Sequence, residues 1–202
     1  GTSAFSKNLT EKIKLYHQAG MKVYLGGTLF EAFIVRNNLD AYKRYVDQLG
    51  LNTIEVSDGS ISIPHDEKCQ WIADLSKNYT VLSEVGSKEE GILISPSKWI
   101  KMMQTELQAG SWKVIAEARE AGNVGIYRGS GEVREGLVQE ILTKIPAEKI
   151  IWEAPQKAQQ LYFLELIGCN VNLGNIAPSE IIPLEAMRIG LRGDTFHLYL
   201  NK

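Results

Sequence analysis

Length, composition and charge exclude several classes of protein. The chain has 202 residues, of which 44% are hydrophobic and 23% charged, as in an ordinary globular protein with a sizeable core. Its net charge of −2 provides no basic surface for nucleic acid or an anionic membrane. No apolar run reaches the roughly 20 residues that cross a bilayer, and the first residues lack the pattern of a secretory signal. Cys69 and Cys169 lie far apart without a CxxC spacing, which favours free thiols in a reducing cytoplasm.

Segments with the period of a helix alternate with strand-like segments along the chain. In chain order, the pattern predicts a helix at 7–19, a strand at 21–25, a long helical region at about 28–49, a strand at 52–56, a helix at 65–77, a strand at 79–84, a helix at 97–109, a strand at 112–117, a helix at 132–144, a strand at 149–153, a helix at 156–167, a strand at 170–174 and a helix at 179–191. The predicted strands are short and rich in Val, Ile and Leu, as parallel strands buried on both faces are. No flexible linker divides them, so we predict one α/β domain over residues 1–202 with six to seven β/α units.

Four of the predicted strands run up to a glutamate and then break into polar loop. These glutamates are Glu55, Glu84, Glu117 and Glu153. Glutamate is seldom buried without a partner, and the C-terminal strand ends of a parallel barrel converge on one mouth, where the chemistry of that fold is found. The pattern therefore predicts a ring of carboxylates around a cationic or protic site.

The number of units bears on the choice of architecture. An eight-stranded (β/α)8 TIM-type barrel usually takes about 250 residues, so the simplest account is such a barrel with its first strands missing from this chain. An open doubly wound sheet is the alternative. It lacks its usual support, because no G-x-G-x-x-G follows a strand and opens a helix, and Gly129-Ser130-Gly131 is only faintly similar.

Seven segments resemble, in order, the motifs of the phosphosulfolactate synthase family, barrel enzymes that add sulfite to phosphoenolpyruvate. The segments are 26–31, 55–60, 83–88, 117–120, 153–157, 171–176 and 190–195. Gly1-Thr2-Ser3 resembles the end of a Lys-Phe-Gly-Trp-Gly-Thr-Ser segment at the top of the family's second strand. This match implies that the residues of strands one and two, including that lysine, are absent here. Ala121 and Gly174 stand where serine and alanine are common, and neither change removes a charged group.

The resemblance implies a lyase reaction in which sulfite adds to C3 of phosphoenolpyruvate. Electron density moves into the carboxylate to give a Mg-stabilised aci-carboxylate, and C2 then takes a proton to give 2-phospho-3-sulfolactate. The family assigns the role of acid to the lysine at the position of Lys88. A lysine near other cations or in a dry site can have a lowered pKa and donate a proton. The alternative for Lys88 is a solvated loop lysine.

The strand-end carboxylates are the candidates for a magnesium site. Magnesium prefers oxygen ligands and keeps several waters, so one or two carboxylates suffice. The candidates are Glu55, Asp58, Glu84, Glu117 and Glu153. We favour Glu55, Glu84 and Glu117 because they follow adjacent central strands. For each of them, a structural hydrogen bond or salt bridge is the alternative, and Asp58 could equally cap the following turn.

Both substrates are anionic, so fixed cations are expected as well. Arg119 could clamp a carboxylate or phosphate, or it could form an ion pair with Glu117 or Glu120. Barrels commonly bind phosphate after strands seven and eight, which predicts substrate binding by Gly174, Asn175 and Arg192, with loop bracing as the alternative for Asn175. The glycine-rich segment 121–131 could close over the substrate, or it could be a long mobile connection.

The resemblance also implies a cytoplasmic homo-oligomer, with a trimer suspected, that acts in coenzyme M biosynthesis or in sulfolactate formation. One alternative is another enolate-forming barrel lyase that acts on a phosphorylated acid with a different nucleophile. Another is a non-catalytic relative, since plant heat-stress proteins resemble the family yet lack much of its motif set. The intact segment 26–31 and Lys88 argue against the second alternative.

Overall fold

The computed structural model describes residues 6–86, 94–119 and 121–199. Among these residues the α-helices are α1 (Leu9–Gln18), α2 (Gly27–Ile34), α3 (Leu39–Gln48), α4 (His65–Leu75), α5 (Pro96–Ala109), α6 (Glu135–Leu142), α7 (Lys157–Ile167) and α8 (Ile181–Arg188). The strands of the same residues are β1 (Thr53–Val56), β2 (Thr80–Val85), β3 (Lys113–Ala116), β4 (Ile150–Glu153) and β5 (Leu173–Gly174). Short 3-10 helices lie at Ala147–Lys149, Pro178–Glu180 and Phe196–Tyr199.

The strands form a sheet in the order β1-β2-β3-β4-β5, so neighbours in the sheet follow one another in the chain. β1 pairs parallel with β2, and β4 pairs parallel with β5. Parallel neighbours require a crossover, and a helix supplies it in each case. The predicted α/β class of the (β/α)8 type is therefore confirmed. None of the described helices combines the length with the apolar character that a membrane-spanning helix requires.

The chain divides into two compact units, each built from two segments. Unit 1 consists of Gly1–Val85 and Lys101–Val114, and unit 2 consists of Gly86–Ile100 and Ile115–Lys202. Helix α5 and strand β3 each cross from one unit to the other. The interpretation of residues 1–202 as one domain stays a prediction.

Unit 1 has an aromatic and aliphatic core between its strands and helices. Ile54 and Val56 of β1 belong to this core, together with Phe30 of α2 and Tyr42 of α3. The rings of Phe30 and Tyr42 meet edge to face with centroids 5.5 Å apart. Because Ile54 and Val56 alternate with Glu55, the side of β1 that packs on the helices is apolar and the opposite side bears the carboxylate.

Unit 2 is organised in the same way around β4. Trp152 is fully buried and stacks on Phe163 of α7 with ring centroids 4.9 Å apart. Leu137, Val138 and Ile141 are the buried residues of α6. The alternation along β4 therefore directs Trp152 toward the helices and Ile151 and Glu153 to the other side of the strand.

Three sequence predictions differ from the structure. No strand is present at 21–25, although Leu25 is buried and Val23 half-buried. An apolar pattern indicates burial, whereas a strand also needs backbone hydrogen bonds to a neighbouring strand. The region 28–49 contains two helices, because Asn37 adopts a left-handed conformation with φ of 51° between them. The strand predicted at 170–174 is reduced to Leu173–Gly174. Elsewhere the predicted helix and strand ends lie within three residues of the observed ones.

Candidate functional site

Glu55 and Glu84 project from the same face of the sheet in unit 1. Glu55 is in register with Leu82, and Glu84 lies two residues beyond Leu82 on β2. Since side chains alternate along a strand, both carboxylates share one face, with Cα atoms about 8 Å apart by ordinary strand spacing and rise. Both are buried, with 8% of Glu55 and 5% of Glu84 exposed. Side chains of this length can reach a common cation from these positions.

The segment 26–31 organises the end of β1 around Glu55. The N–H of Gly27, the first residue of α2, donates to Glu55 Oε1 at 2.7 Å. Glu31 accepts a hydrogen bond from the Ser57 hydroxyl and another, at 3.1 Å, from the Ser60 N–H. A Cβ on Gly27 would overlap with the side chains of Ser57 and Glu55, so a glycine is required for this approach.

Asp58 takes part in a buried ionic cluster. Lys68 of α4 is fully buried, and its Nζ lies 2.8 Å from Asp58 Oδ1 and 2.9 Å from Glu106 Oε1. The same ammonium donates to the backbone carbonyl of Glu84. Burial lowers the pKa of Lys68, but attraction to Glu106 and Asp58 outweighs this effect and raises the pKa above its ordinary value. Lys68 is therefore an ammonium, and of the alternatives for Asp58 the structure shows an ion pair.

Lys68 and Glu106 were missed as site residues, although the sequence contains a signal for both. Lys68 is on the same face of α4 as the buried residues Ile72 and Leu75. Glu106 follows Trp99 and Met103 on the buried face of α5. Two charges of opposite sign at apolar positions of neighbouring helices indicate a buried pair, because an isolated buried charge is too costly.

Glu117 and Arg119 form a tight turn at the end of β3 in unit 2. Glu117 is 1% exposed, and its Oε1 accepts the backbone N–H of Arg119 at 2.6 Å. Arg119 adopts a left-handed φ of 57°, and its side chain is exposed. Gly86 lies against Glu117 so closely that a Cβ on Gly86 would collide with the glutamate side chain. The contact between Glu117 and Arg119 thus runs through the arginine backbone, while clamping of a substrate by the guanidinium stays a prediction.

Glu153 fixes the loop that follows β3. Its Oε2 accepts the N–H of Ala118 at 2.9 Å, and its carbonyl accepts the Tyr127 hydroxyl at 2.6 Å. Burial, and then the charge of Glu153, raises the pKa of Tyr127 above its ordinary value, so this phenol remains a donor. On the other side, Glu153 pairs with Gly174 of β5. A Cβ on Gly174 would come within 2.9 Å of Ile151, so the absence of a side chain allows this close pairing.

The glycine-rich segment 121–131 is anchored by two glutamines of unit 2. Gln159 is 1% exposed and donates to the carbonyls of Gly122 at 2.8 Å and Gly131 at 3.0 Å. Gln156 donates to the carbonyl of Ala121 at 2.7 Å. Ile126 is fully buried within the segment, and its N–H donates to the carbonyl of Glu117. This loop is packed against the end of β3, and its closing over a substrate stays a prediction.

The remaining predicted residues are found in different surroundings. Asn175 directly follows β5 and has a left-handed φ of 55°. Arg192 is partly exposed, with Nε 3.7 Å from Asp194 Oδ2. Hydrogen bonding from Lys157 is the main cause that lowers the pKa of Asp194, with Arg192 contributing less. Phosphate binding by these residues stays a prediction, and Lys88 and Glu120 lie outside the described residues.

A shared feature of the strand ends is that carboxylates accept backbone N–H groups, as Glu55, Glu117 and Glu153 do. The structural alternative is therefore realised for each of them, although a carboxylate has several lone pairs and can also bind a metal. Within ranges 6–86, 94–119 and 121–199, no group of three or more His, Cys, Asp or Glu residues could hold a metal ion. Any magnesium bound by these residues would keep several waters, as this ion usually does.

Parallel strands alternate with helices, and the C-terminal strand ends carry glutamates, of which Glu55, Glu84 and Glu117 are buried; these features define a protein of the (β/α)8 type. The model of the (2R)-phospho-3-sulfolactate synthase (ComA) family matches residues 1–194 of the chain. The chain belongs to this family.

Similar proteins carry the name phosphosulfolactate synthase. The one from Methanothermobacter thermautotrophicus is 43% identical over 189 residues, which cover 92% of this chain and 73% of the relative. The one from Bacillus subtilis is 41% identical over 201 residues, covering 98% and 80%. The relative from Methanocaldococcus jannaschii is 40% identical over 202 residues, covering 97% and 80%. The resemblance inferred from the seven motifs is confirmed.

Proposed function

We propose that this protein catalyses the addition of sulfite to phosphoenolpyruvate to form 2-phospho-3-sulfolactate. The observation that carries the proposal is the family match over residues 1–194, which includes the strand-end glutamates. The relatives with 40 to 43% identity are named for this product. Glu55 and Glu84, two buried carboxylates on one face of adjacent parallel strands, support it. They could hold a cation, and the reaction needs positive charge where negative charge develops on the substrate.

The reaction is a conjugate addition followed by a proton transfer. The sulfur lone pair of sulfite forms a bond to C3 of phosphoenolpyruvate, and the π electrons of the C2–C3 bond move into the carboxylate. The resulting aci-carboxylate then returns an electron pair to C2, which takes a proton from an acid. The enzyme must therefore stabilise extra negative charge on the carboxylate and direct a proton to one face of C2.

A bound Mg²⁺ would supply positive charge where the carboxylate gains electrons. Glu55 and Glu84 fit this ion, because they are oxygen donors that share a face of the sheet and are removed from bulk water. Mg²⁺ binds proteins through one or two carboxylates and keeps several waters. Asp58 is excluded from our ligand set since Lys68 is its partner, and Glu117 is a further candidate.

The proposal assigns the remaining roles as the family resemblance does. Lys88 is the acid that protonates C2, and Arg119 neutralises an anionic group of the substrate. Gly174, Asn175 and Arg192 are proposed for substrate binding. We also propose that the protein is a cytoplasmic homo-oligomer, with a trimer as the suspected form, and that its product serves coenzyme M biosynthesis or sulfolactate formation.

The decisive experiment follows phosphoenolpyruvate consumption by the full chain with Mg²⁺ present, with and without sulfite. We expect consumption that requires both the sulfite and the metal ion. Consumption without sulfite would indicate an enolate-forming enzyme with a different nucleophile. No consumption under any condition, with the protein folded, would favour a non-catalytic relative.

The role of Lys88 is tested separately by Lys88→Ala. We expect turnover to fall by at least about 100-fold, because general acid catalysis contributes about this much or more. The control is Lys98→Ala at an exposed position near the start of α5. Circular dichroism should show the same fold for both variants. Wild-type turnover in Lys88→Ala would contradict its assignment as the acid.

A further inference from the structure

The side chain of Lys68 links four parts of unit 1 from within the protein. It is fully buried on α4, and its Nζ contacts Asp58 after β1, the carbonyl of Glu84 on β2, and Glu106 on α5. An ammonium has three donors and no acceptor. These three oxygens from described residues therefore match its donors one to one.

The position of these oxygens connects Lys68 to the strand-end glutamates. Asp58 lies three residues after Glu55, and Glu84 offers its own backbone carbonyl. The rotation of the β2 backbone at Glu84 sets the face of the sheet to which the Glu84 side chain points, because successive side chains alternate along a strand. Fixing the Glu84 carbonyl therefore also fixes the direction of its carboxylate relative to Glu55.

We propose that Lys68 is a positioning residue that holds the ends of β1 and β2 so that Glu55 and Glu84 can bind one divalent cation. The proposal rests on the proposed function, since it assumes that these two carboxylates are metal ligands. Lys68 has no exposed surface, so a substrate that enters from solvent would not contact it.

A structural role in folding must be separated from this positioning role. Lys68→Met removes the ammonium and leaves Glu106 as a buried, uncompensated charge, so it should destabilise the fold whether or not Lys68 acts on the metal site. The double variant Lys68→Met/Glu106→Gln removes the fully buried pair and leaves Asp58, whose side chain is 16% exposed, as the remaining charge of the cluster. It should recover most of the stability, while the carbonyl of Glu84 still lacks its donor.

The experiment measures Mn²⁺ binding to the full chain by electron paramagnetic resonance, together with thermal unfolding and hydrogen exchange. We expect the melting temperature of Lys68→Met to fall by about 10 °C and that of the double variant to lie close to wild type. The double variant should still bind Mn²⁺ about 10-fold or more weakly, as is typical when a residue supporting a metal ligand is lost. Hydrogen exchange of residues 80–86 should be faster in the double variant than in wild type. Lys77→Met, at an exposed position just beyond the same helix, is the matched control and should change none of these values.

The outcomes distinguish the two proposals. If the double variant is stable and binds Mn²⁺ as tightly as wild type, or more tightly, the positioning role of Lys68 is wrong while the metal site remains. Unchanged hydrogen exchange at 80–86 also contradicts it. If the wild-type protein binds no Mn²⁺, the metal ligands of the proposed function are wrong, and the role of Lys68 toward them fails for that reason.

Discussion

The strand ends of the two units are held in place by different kinds of interaction. In unit 1, a buried ammonium with two carboxylates joins the end of β1 to the end of β2. In unit 2, separate hydrogen bonds do this without a buried ion pair like that of Lys68: the amide of Gln159 and the phenol of Tyr127 donate to backbone carbonyls, and the carboxylate of Glu153 accepts the N–H of Ala118. The two arrangements differ in how much of the free energy of unfolding depends on a single residue.

An ionic cluster concentrates the consequences of a mutation. Removing one member of a buried ion pair leaves an uncompensated charge that costs about 3–5 kcal/mol. A neutral hydrogen bond contributes about 1 kcal/mol on average, and a lost partner costs about 1–3 kcal/mol. We therefore expect unit 1 to depend on a few charged residues and unit 2 on several separate hydrogen bonds and on close backbone packing.

The largest effect in unit 2 is expected at its tightest backbone contact. In Gly125→Ala the new Cβ would overlap with the backbone carbonyl of Glu117, and the φ of 63° is unfavourable for alanine. We expect a loss of about 3 kcal/mol or more in the free energy of unfolding by urea. Gly136→Ala in α6 is the control, because its Cβ has nothing within 4 Å, and it should be neutral or slightly stabilising. Equal stability of the two variants would contradict the close packing.

The next largest effect is expected for the amide that anchors the glycine-rich segment. Gln159→Leu leaves the carbonyls of Gly122 and Gly131 without their donor, which should cost about 1–3 kcal/mol. Hydrogen exchange at 121–131 should become faster. Gln139→Leu, at an exposed position of α6, serves as the control. If Gln159→Leu is as stable as this control, the amide does not hold the loop.

A glycine-to-alanine change in unit 1 should affect the site more than the fold. In Gly27→Ala the Cβ would meet the hydroxyl and Cβ of Ser57 and the carboxylate of Glu55; the hydroxyl and carboxylate can rotate away, whereas the Ser57 Cβ moves only with its backbone. We expect a loss of about 1–2 kcal/mol in stability and Mn²⁺ binding weaker by about 10-fold, because the Glu55 carboxylate is displaced. Gly26→Ala should change neither, since its Cβ would lie in open space. Unchanged Mn²⁺ affinity in Gly27→Ala would argue against Glu55 as a ligand.

The smallest effect is expected in the pH dependence of stability, for one buried tyrosine from each unit. Burial, and then Glu55 or Glu153, raises the pKa of Tyr42 and Tyr127 above the ordinary value of 10.0. The folded state therefore favours the neutral phenols, and this stability is fully present below about pH 10 and is lost as the pH rises through 10. Urea unfolding at pH 8 to 11 should show this decline, and each Tyr→Phe variant should reduce its slope.

The two phenylalanine variants should differ at neutral pH. Tyr127→Phe loses the hydrogen bond to the Glu153 carbonyl, which should cost about 1 kcal/mol. The Tyr42 hydroxyl has no hydrogen-bond partner among the described residues, so Tyr42→Phe should be neutral or slightly stabilising. A larger loss for Tyr42→Phe than for Tyr127→Phe would reverse this part of the comparison.

Much of the fold could be predicted from local patterns. The period of apolar residues predicted α4, α5 and α7 closely, because an amphipathic helix must bury one stripe of side chains. The short apolar runs predicted β1 to β4, and the family motifs indicated the (β/α)8 type. The strand prediction at 21–25 was wrong, because an apolar run indicates burial, whereas a strand depends on hydrogen bonds from residues elsewhere in the chain.

The sequence by itself determined the class, the family and the strand-end glutamates, since these follow from periodicity and from motifs read along one chain. Only the tertiary structure decided which oxygen and nitrogen atoms meet. Glu55 accepts a hydrogen bond from the N–H of Gly27, Asp58 forms an ion pair with Lys68, and Gln159 donates to a loop some 30 residues away in sequence. Hydrogen bonds and ion pairs act over a few ångströms, and the residues that come this close are selected by how helices and strands pack.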